Sequence, residues 1–184
     1  YDNIINDFYQ GGILMNFLDK TSDALLRLDK FTAFLTVGDS KSVNPMTIGW
    51  CQFGVVWGKP ICTVFVRKSR YSHSLIEKTG RFTVSVPKAD TMKEELAFCG
   101  KRSGRDTDKM KELGLSLLPA AAGGEDGLAG CSLQFECRVV FKTESELEHM
   151  DADYRRRYYG DNQATPDGDP HTVYFGEILA AYRE

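Results

Sequence analysis

The stretch SLQFECRVVF (Ser132–Phe141) carries the clearest structural signal in the chain. Apolar side chains recur at every second position from Leu133 onward, and Gln134, Glu136 and Arg138 alternate with them. This period of two predicts a β-strand with one face buried in a core and the other face polar. We therefore expect a fold that is organised around a sheet.

Other segments on both sides of this stretch share its β-branched and aromatic composition, which is typical of strands. They are FTAFLTV (Phe31–Val37), MTIGWCQFGVVW (Met46–Trp57), ICTVFV (Ile61–Val66), FTVSV (Phe82–Val86) and TVYFGEIL (Thr172–Leu179). Gly58, Lys59 and Pro60 separate two of them with turn-forming residues, so we predict a β-hairpin there. In the last segment, Gly176 predicts a bulge or a close approach by another part of the chain.

The predicted helices are short and lie between the strands. Capping-box spacing places helix starts at Ser74 and Thr91, and Asp106 is positioned to cap a third helix. Gly80 and Gly114 are expected to end the first and the third of these helices. Six or more strands with short helices around them predict a mainly β domain that closes fully or partly into a barrel.

The composition indicates one soluble domain. The 184 residues are 42% hydrophobic, which suffices to bury a core without a disulfide or a metal. We expect a single domain over 1–184, with an N-terminal extension or helix at 1–30 and a helical and loop insertion at 144–170. The 23 Lys and Arg against 26 Asp and Glu give a net charge of −3, which argues against nucleic acid as a partner. No apolar run is long enough to span a membrane, so no membrane association is expected.

The cysteine pattern limits which metal sites and disulfides are expected in this chain. Cys51, Cys62, Cys99, Cys131 and Cys137 form no C-x-x-C pair, and their number is odd. These spacings argue against a zinc site and against a secreted disulfide framework, so we expect no metal. Reduced thiols and the lack of a visible signal region predict a cytoplasmic protein.

The first candidate binding segment is NPMTIGW, which begins at Asn44. Pro45 keeps Asn44 out of the helical region, so we expect a turn that leaves Asn44 and Thr47 at the mouth of the next strand. Polar groups placed there can bond the edge of a planar heterocycle, and Met46 and Trp50 can supply flat apolar contact. The alternative is a hairpin turn whose Met and Trp belong to the core.

The second candidate segment, VRKSRYSHS, joins a predicted strand to a predicted helix. Its cations Arg67, Lys68 and Arg70 lie among three serines. A helix N-terminus with arginine donors beside it is suited to a monophosphate. The alternative is a solvated strand end with an ordinary helix cap.

The third candidate segment is FCGKRSGRDTDK, in which small residues separate Lys101, Arg102 and Arg105. A flexible basic loop of this kind can fold over a bound anion; the alternative is an ordinary connection between helices.

His171 opens the predicted last strand, where it can bond a ligand or move a proton near neutral pH. We take His171 as the candidate catalytic residue, with a surface loop histidine as the alternative.

These segments occur in an order that resembles the flavin reductase-like family of FMN-binding split barrels, and within it the flavoredoxin-like branch. The resemblance rests on NPMTIGW, GVVWGKPICTVFVRKSRYS, FTVSVP, FCGKRSGRDTDKMKELGL, LQFECRVVF and HTVYFGEIL. It extends over most of the chain, from Phe31 to Leu179. It implies a Greek-key split barrel that binds FMN non-covalently near a homodimer interface.

The resemblance also implies roles for individual residues. Those expected to flank the isoalloxazine ring are Asn44, Met46, Thr47 and Trp50, with Cys51 added to the cofactor-binding set. Those expected to hold the phosphate or ribityl end are Lys68, Ser69, Arg70 and Ser72. Those expected to approach from another side are Cys99, Gly100, Lys101, Ser103, Gly104 and Arg105. His171 is expected to lie near the flavin.

The expected function is a redox function in which the protein binds the flavin and the flavin carries the electrons. The preferred hypothesis is an NAD(P)H-dependent flavin reductase. The alternative is an FMN electron carrier that has no nicotinamide site and exchanges electrons with a partner protein. A third hypothesis is a barrel that binds FMN only as a structural or sensing ligand.

Overall fold

The computed structural model describes residues 20–22, 24–25, 28, 33–39, 42–160 and 168–183. The predicted N-terminal extension at 1–30 lies mostly outside the described residues, as does part of the predicted insertion at 144–170. The start of the first predicted strand, at Phe31, lies outside them as well.

Nine strands form the described part of the fold. Their bounds are β1 Ala33–Asp39, β2 Ser42–Ile48, β3 Cys51–Val56, β4 Lys59–Arg67, β5 Arg81–Val86, β6 Leu117–Leu118, β7 Gly127–Leu128, β8 Leu133–Glu144 and β9 His171–Tyr182. Seven of them make one antiparallel sheet in the order β2-β1-β5-β8-β9-β4-β3, and β6 pairs with β7. Neighbours such as β1 with β5 and β9 with β4 are distant in sequence, as Greek-key connections require.

The connection between β2 and β3 requires the sheet to curve. These strands are the two edges of the sheet, yet only Gly49 and Trp50 separate them in the chain. In a flat sheet, six spacings of about 4.8 Å would hold the edges about 29 Å apart. The Cα atoms of Ile48 and Cys51 can be at most about 11 Å apart. The sheet therefore rolls into a barrel that is split between β2 and β3, and the prediction of a mainly β barrel with short helices is confirmed.

The segment NPMTIGW does not form the predicted turn. Asn44 to Ile48 lie inside β2, and the single strand predicted over Met46–Trp57 is interrupted at Gly49 and Trp50. Pro45 is tolerated because β2 is an edge strand, where a missing N–H leaves no neighbour unpaired.

The predicted hairpin between β3 and β4 is confirmed, although its turn lies earlier than expected. Trp57 and Gly58 both have positive φ, 51° and 67°, which is the pattern of a type I′ turn. Lys59 and Pro60 already belong to β4.

Gly176 shows both features that were predicted for it. The register between β8 and β9 shifts on either side of the pair Val139 and Gly176. A Cβ at position 176 would lie 2.5 Å from Cζ of Phe82. Only glycine lets β9 pass this close to the core.

Four α-helices and one 3₁₀ helix lie between β4 and β9 in the described part of the chain. They are α1 Tyr71–Thr79, α2 Lys93–Lys101, α3 Lys109–Leu113, the 3₁₀ helix Leu147–His149 and α4 Ala152–Tyr158. None of these helices has the length and apolar character that a membrane crossing requires.

The predicted helix ends are confirmed and the predicted helix starts are wrong. Gly80 and Gly114 end α1 and α3 with φ of 66° and 60°. However, α1 begins at Tyr71, three residues before Ser74, and no side chain caps it. In α3 the cap is Asp108, whose carboxylate accepts the N–H of Lys111, and not Asp106. The N-cap of α2 is Met92, not Thr91.

The face of β8 that was predicted to be polar is buried at Gln134 and Glu136 and exposed from Arg138 onward. Gln134 and Glu136 are both 0% exposed. The Glu136 carboxylate accepts backbone N–H groups from Ala121, Ala122 and Gly124 at 2.5, 3.0 and 3.2 Å. A loop therefore folds over this face and satisfies the buried charge with its own backbone donors.

Candidate functional site

A buried lysine lies at the edge of the barrel beside β2. Lys109, the first residue of α3, is only 3% exposed. Its Nζ donates to the carbonyl oxygens of Pro45 at 2.8 Å and Cys99 at 3.4 Å. Because β2 is an edge strand, the Pro45 carbonyl is free to accept from a side chain. Burial lowers the pKa of Lys109 to about 8.

A second cation reaches the same carbonyl. Arg70 Nη2 donates to the Cys99 oxygen at 3.2 Å, and burial lowers the pKa of this guanidinium as well. Among the described residues, neither Lys109 nor Arg70 lies within 4.0 Å of a carboxylate oxygen. Burying positive charge without a counter-charge is unfavourable, and an anionic ligand would relieve that penalty.

Polar side chains of the predicted set lie next to these cations. Asn44 Nδ2 donates to the hydroxyl oxygen of Ser72 at 2.8 Å, and both residues are buried. Thr47 donates its hydroxyl to the carbonyl of Leu96 at 2.5 Å. A Cβ at position 104 would lie 2.1 Å from Oδ1 of Asn44, so Gly104 allows the loop to approach this amide.

A cavity of about 740 Å³ opens beside this cluster. Asn44, Tyr71, Gly104, Arg105 and Lys109 are among the residues that line it. Its volume lies within the range of small-molecule sites. Arg105 and Lys109 supply positive charge to its wall, and Asp106 and Asp108 also line it.

The basic loop after α2 is anchored to the start of α1. Arg105 donates to the carbonyl of Ser69 at 2.8 Å and lies 5.4 Å above the ring of Tyr71. The N–H and the hydroxyl of Ser69 both donate to the carboxylate of Asp169, at 3.1 and 2.6 Å. Both donor groups of Ser69 are therefore engaged in holding the segment before β9.

His171 and Trp50 form a second cluster at the split of the barrel. Their rings lie 4.7 Å apart between centroids. Nδ1 of His171 lies 2.7 Å from the hydroxyl of Tyr159. Burial, followed by the nearby Arg67, lowers the pKa of His171 to about 4. The imidazole is therefore neutral at pH 7, with Nδ1 engaged by the tyrosine.

The predicted site residues thus divide into those that the structure brings together and those that it does not. Around the Cys99 carbonyl it gathers Asn44, Thr47, Arg70, Ser72, Gly100 and Gly104. Lys68 instead forms an ion pair with Glu144 at 2.9 Å, and Lys101 is exposed. Ser103 accepts the N–H of Arg105 with its hydroxyl.

Two residues of the predicted cofactor-binding set, Met46 and Cys51, pack against the barrel core. Met46 is 3% exposed and packs in the main core. Cys51 Sγ lies 3.4 Å from Cys62 Sγ. Hydrogen bonding between these thiols raises the pKa of Cys51, and burial raises the pKa of Cys62 and brings that of Cys99 to about 11. All three thiols therefore stay protonated at neutral pH.

The sequence reasoning missed Lys109 and Tyr159 as site residues. Lys109 ends the basic segment that was quoted, but a lysine at a helix start normally indicates a solvated position. One signal was available: the apolar neighbours Met110 and Leu113 direct α3 onto the barrel. Tyr159 follows three consecutive arginines, which indicated an exposed helix face.

Comparisons with known proteins identify the family of this chain. Residues 25–184 match the family model of the flavin reductase like domain. An uncharacterized protein of Archaeoglobus fulgidus is 30% identical over 146 residues, which cover 79% of this chain and 68% of that protein.

Solved structures share the fold. The crystal structure of flavoredoxin from Methanosarcina acetivorans is similar with a TM-score of 0.63 and 25% identity, over 83% of this chain and 68% of that one. A Streptomyces globisporus NADH:FAD oxidoreductase has the same fold with a TM-score of 0.62 and 20% identity, over 90% and 84% of the two chains.

The chain belongs to the flavin reductase-like family, which confirms the resemblance found in the sequence. Membership in this family supports a flavin-binding, redox function for the protein.

The neutral state of His171 predicts how stability depends on pH. The unfolded histidine has a pKa of about 6.5 and the folded one about 4, so between these values the unfolded chain binds more protons. Stability should therefore fall as the pH is lowered from 6.5 towards 4, by at most about 3 kcal/mol from this group. Urea unfolding measured across this range should show the slope, and His171→Gln should reduce it.

His149 provides the matched control, because its side chain is exposed and its Nδ1 lies 2.9 Å from a carboxylate oxygen of Glu146 at the surface. His149→Gln should leave the slope close to that of the wild type. An unchanged slope in His171→Gln would show that this imidazole is not held neutral by the fold.

Proposed function

We propose that the protein binds FMN non-covalently, one per chain, and acts as an NAD(P)H-dependent flavin reductase. The observation that carries the proposal is a pair of cations, the buried Lys109 and the half-buried Arg70, that both donate to the Cys99 carbonyl. Among the described residues no carboxylate oxygen lies within 4.0 Å of either cation. A flavin mononucleotide supplies the negative charge that this cluster lacks.

The donor set fits such a cofactor. Arg70 and the hydroxyl of Ser72 are suited to the phosphate, because a guanidinium and a hydroxyl next to a helix start form charge-assisted hydrogen bonds with it. Lys109 shares the Cys99 carbonyl with Arg70 and therefore adds positive charge to the same subsite. Asn44 is suited to the polar edge of the ring, and Trp50 offers it an aromatic contact. When bound, the flavin supplies the capacity to accept and release two electrons.

His171 has a defined role in this proposal. Its neutral imidazole lies 4.7 Å from the Trp50 ring, and the bond from Tyr159 holds Nδ1. Nε2 is the ring nitrogen that remains to contact a ligand. A neutral ring with a lowered pKa orients a ligand by hydrogen bonding and does not act as a strong acid at pH 7.

An FMN electron carrier is the second candidate. The likeness to a flavoredoxin at 25% identity over 83% of this chain favours it. In that case the protein has no nicotinamide site and exchanges electrons with a partner protein.

The five free thiols of this chain support a reducing compartment, and we propose the cytoplasm as its location.

We also propose that two chains form a homodimer. The support is an exposed apolar patch around the β3–β4 turn, formed by Val55, Val56, Trp57, Val140 and Phe141. Patches of this kind mark interaction surfaces.

Light scattering at micromolar concentration should give twice the 20.7 kDa of one chain, and Phe141→Lys should shift the mass towards one chain. A wild-type mass of one chain would contradict the dimer.

The phosphate subsite predicts a preference between flavins. Each charge-assisted hydrogen bond contributes roughly 1.5–3 kcal/mol, so FMN should bind at least about tenfold more tightly than riboflavin. Arg70→Ala should remove most of this preference and leave riboflavin affinity nearly unchanged. Fluorescence titration with both flavins measures this. Equal affinity of the wild type for FMN and riboflavin would contradict the phosphate assignment.

The variant Lys109→Met distinguishes the contribution of Lys109 to FMN binding from its effect on folding stability. The variant removes a buried cation that has no carboxylate oxygen within 4.0 Å in the described part of the chain. The protein without flavin should therefore become more stable at pH 7 by about 1–3 kcal/mol. FMN affinity should fall by about tenfold or more, because the charge that attracts the cofactor is lost. Urea unfolding and flavin titration give the two values.

Lys111→Met is the control, because Lys111 lies on the same helix and is exposed. It should change neither stability nor affinity noticeably. If Lys109→Met binds FMN as tightly as the wild type, Lys109 has no part in the site.

Mixing the FMN-loaded protein with NADH or NADPH without oxygen distinguishes the reductase from the carrier. Hydride transfer needs the nicotinamide within a few ångströms of the flavin, so a reductase should lose its flavin absorbance within seconds. His171→Ala should slow this reaction. No bleaching with either nucleotide, together with full reduction by dithionite, would reject the reductase and leave the carrier.

A further inference from the structure

A second cavity, of about 350 Å³, lies between α4 and the split of the barrel. Its walls are nearly all aromatic or apolar, and the residues that line it are Trp50, Met150, Asp151, Tyr154, Tyr158 and Tyr159. Of these, only Trp50 belongs to the set predicted for the flavin. The volume is at the lower end of the range for small-molecule sites.

The aromatic walls are arranged around an open space. Tyr154 and Tyr158 stack one helical turn apart, with ring centroids at 6.1 Å and an interplanar angle of 22°. The Trp50 ring stands edge-on to Tyr158 at 5.2 Å and 87°. Tyr154 is nevertheless 61% exposed. Packing within the described fold therefore does not account for a large aromatic side chain at this position.

The charges around the cavity select among ligand classes. Arg157 lies 5.3 Å from the centre of the Tyr158 ring, and Arg67 lies 5.0 Å from that of Tyr159. Two of the tyrosine rings already hold a cation, so they are poorly suited to a quaternary ammonium ligand. Asp151 disfavours an anion, although its Oδ1 accepts the N–H groups of Asp153 and Tyr154.

We propose that this cavity binds a neutral aromatic molecule of one or two rings. Offset-stacked and edge-to-face contacts with Trp50, Tyr154 and Tyr158 would hold it, and these contacts add to the burial of apolar surface. Only Trp50 is shared with the residues proposed for the flavin, and the other five lining residues lie outside that set. We therefore expect the site to be available whether or not FMN is bound.

The probe is 2-naphthol, titrated by calorimetry into the protein with and without saturating FMN. Binding should be saturable, with one site per chain and an affinity that FMN changes by less than about twofold. Tyr154→Ala should weaken it by about tenfold, which corresponds to the loss of an aromatic contact of about 1.4 kcal/mol. Because Tyr154 is exposed, this variant should keep the wild-type unfolding midpoint.

Arg156→Ala is the matched control, because Arg156 lies on the same helix α4 as Tyr154 but is exposed and does not line the cavity. It should bind 2-naphthol as the wild type does. Three results would overturn the proposal: no saturable binding, equal losses in both variants, or displacement of 2-naphthol by FMN. The last result would place the probe in the flavin site. Tighter binding of tetramethylammonium than of 2-naphthol would overturn the assignment of the ligand class.

Discussion

The two-residue link between the edge strands is the constraint from which the candidate site follows. Gly49 and Trp50 join β2 to β3, and this short connection forces a seven-stranded sheet to curve until its edges approach each other. The split leaves the outer side of β2 without a strand partner. The carbonyl of Pro45 is therefore free to accept from Lys109, and Trp50 lies at the split beside His171.

The charge cluster on that edge has a cost in stability that the fold does not offset by itself. Lys109 and Arg70 are held by carbonyl oxygens alone among the described residues, and burial lowers the pKa of both. A buried cation without a counter-ion lowers the free energy of unfolding. Natural sequences accept such local conflicts mainly at functional sites. A cofactor that carries negative charge resolves the conflict, which links the stability of the protein to its ligand.

The sequence predicted the strands well and the site only in part. Alternation in β8 and the composition of the other segments identified the sheet, because period-two patterns are local. Gly80, Gly114 and Gly176 were also predictable, because each meets a local backbone or packing demand. The turn expected at NPMTIGW was wrong, since whether a proline ends a strand depends on whether the strand is an edge. The burial of Glu136 and Lys109 was missed, because it depends on contacts that a local pattern does not show. The loop at 121–124 covers Glu136, and the carbonyls of Pro45 and Cys99 accept from Lys109.

The pKa of the Lys109 ammonium group, measured by NMR on the protein with and without FMN, tests the central claim most directly. Without FMN we expect a value of about 8, because burial without a counter-charge disfavours the protonated form. With saturating FMN we expect this pKa to rise by about one unit or more, since a nearby negative charge stabilises the cation. A pKa that is the same in both states would show that the flavin is bound elsewhere and that the buried cations do not hold it.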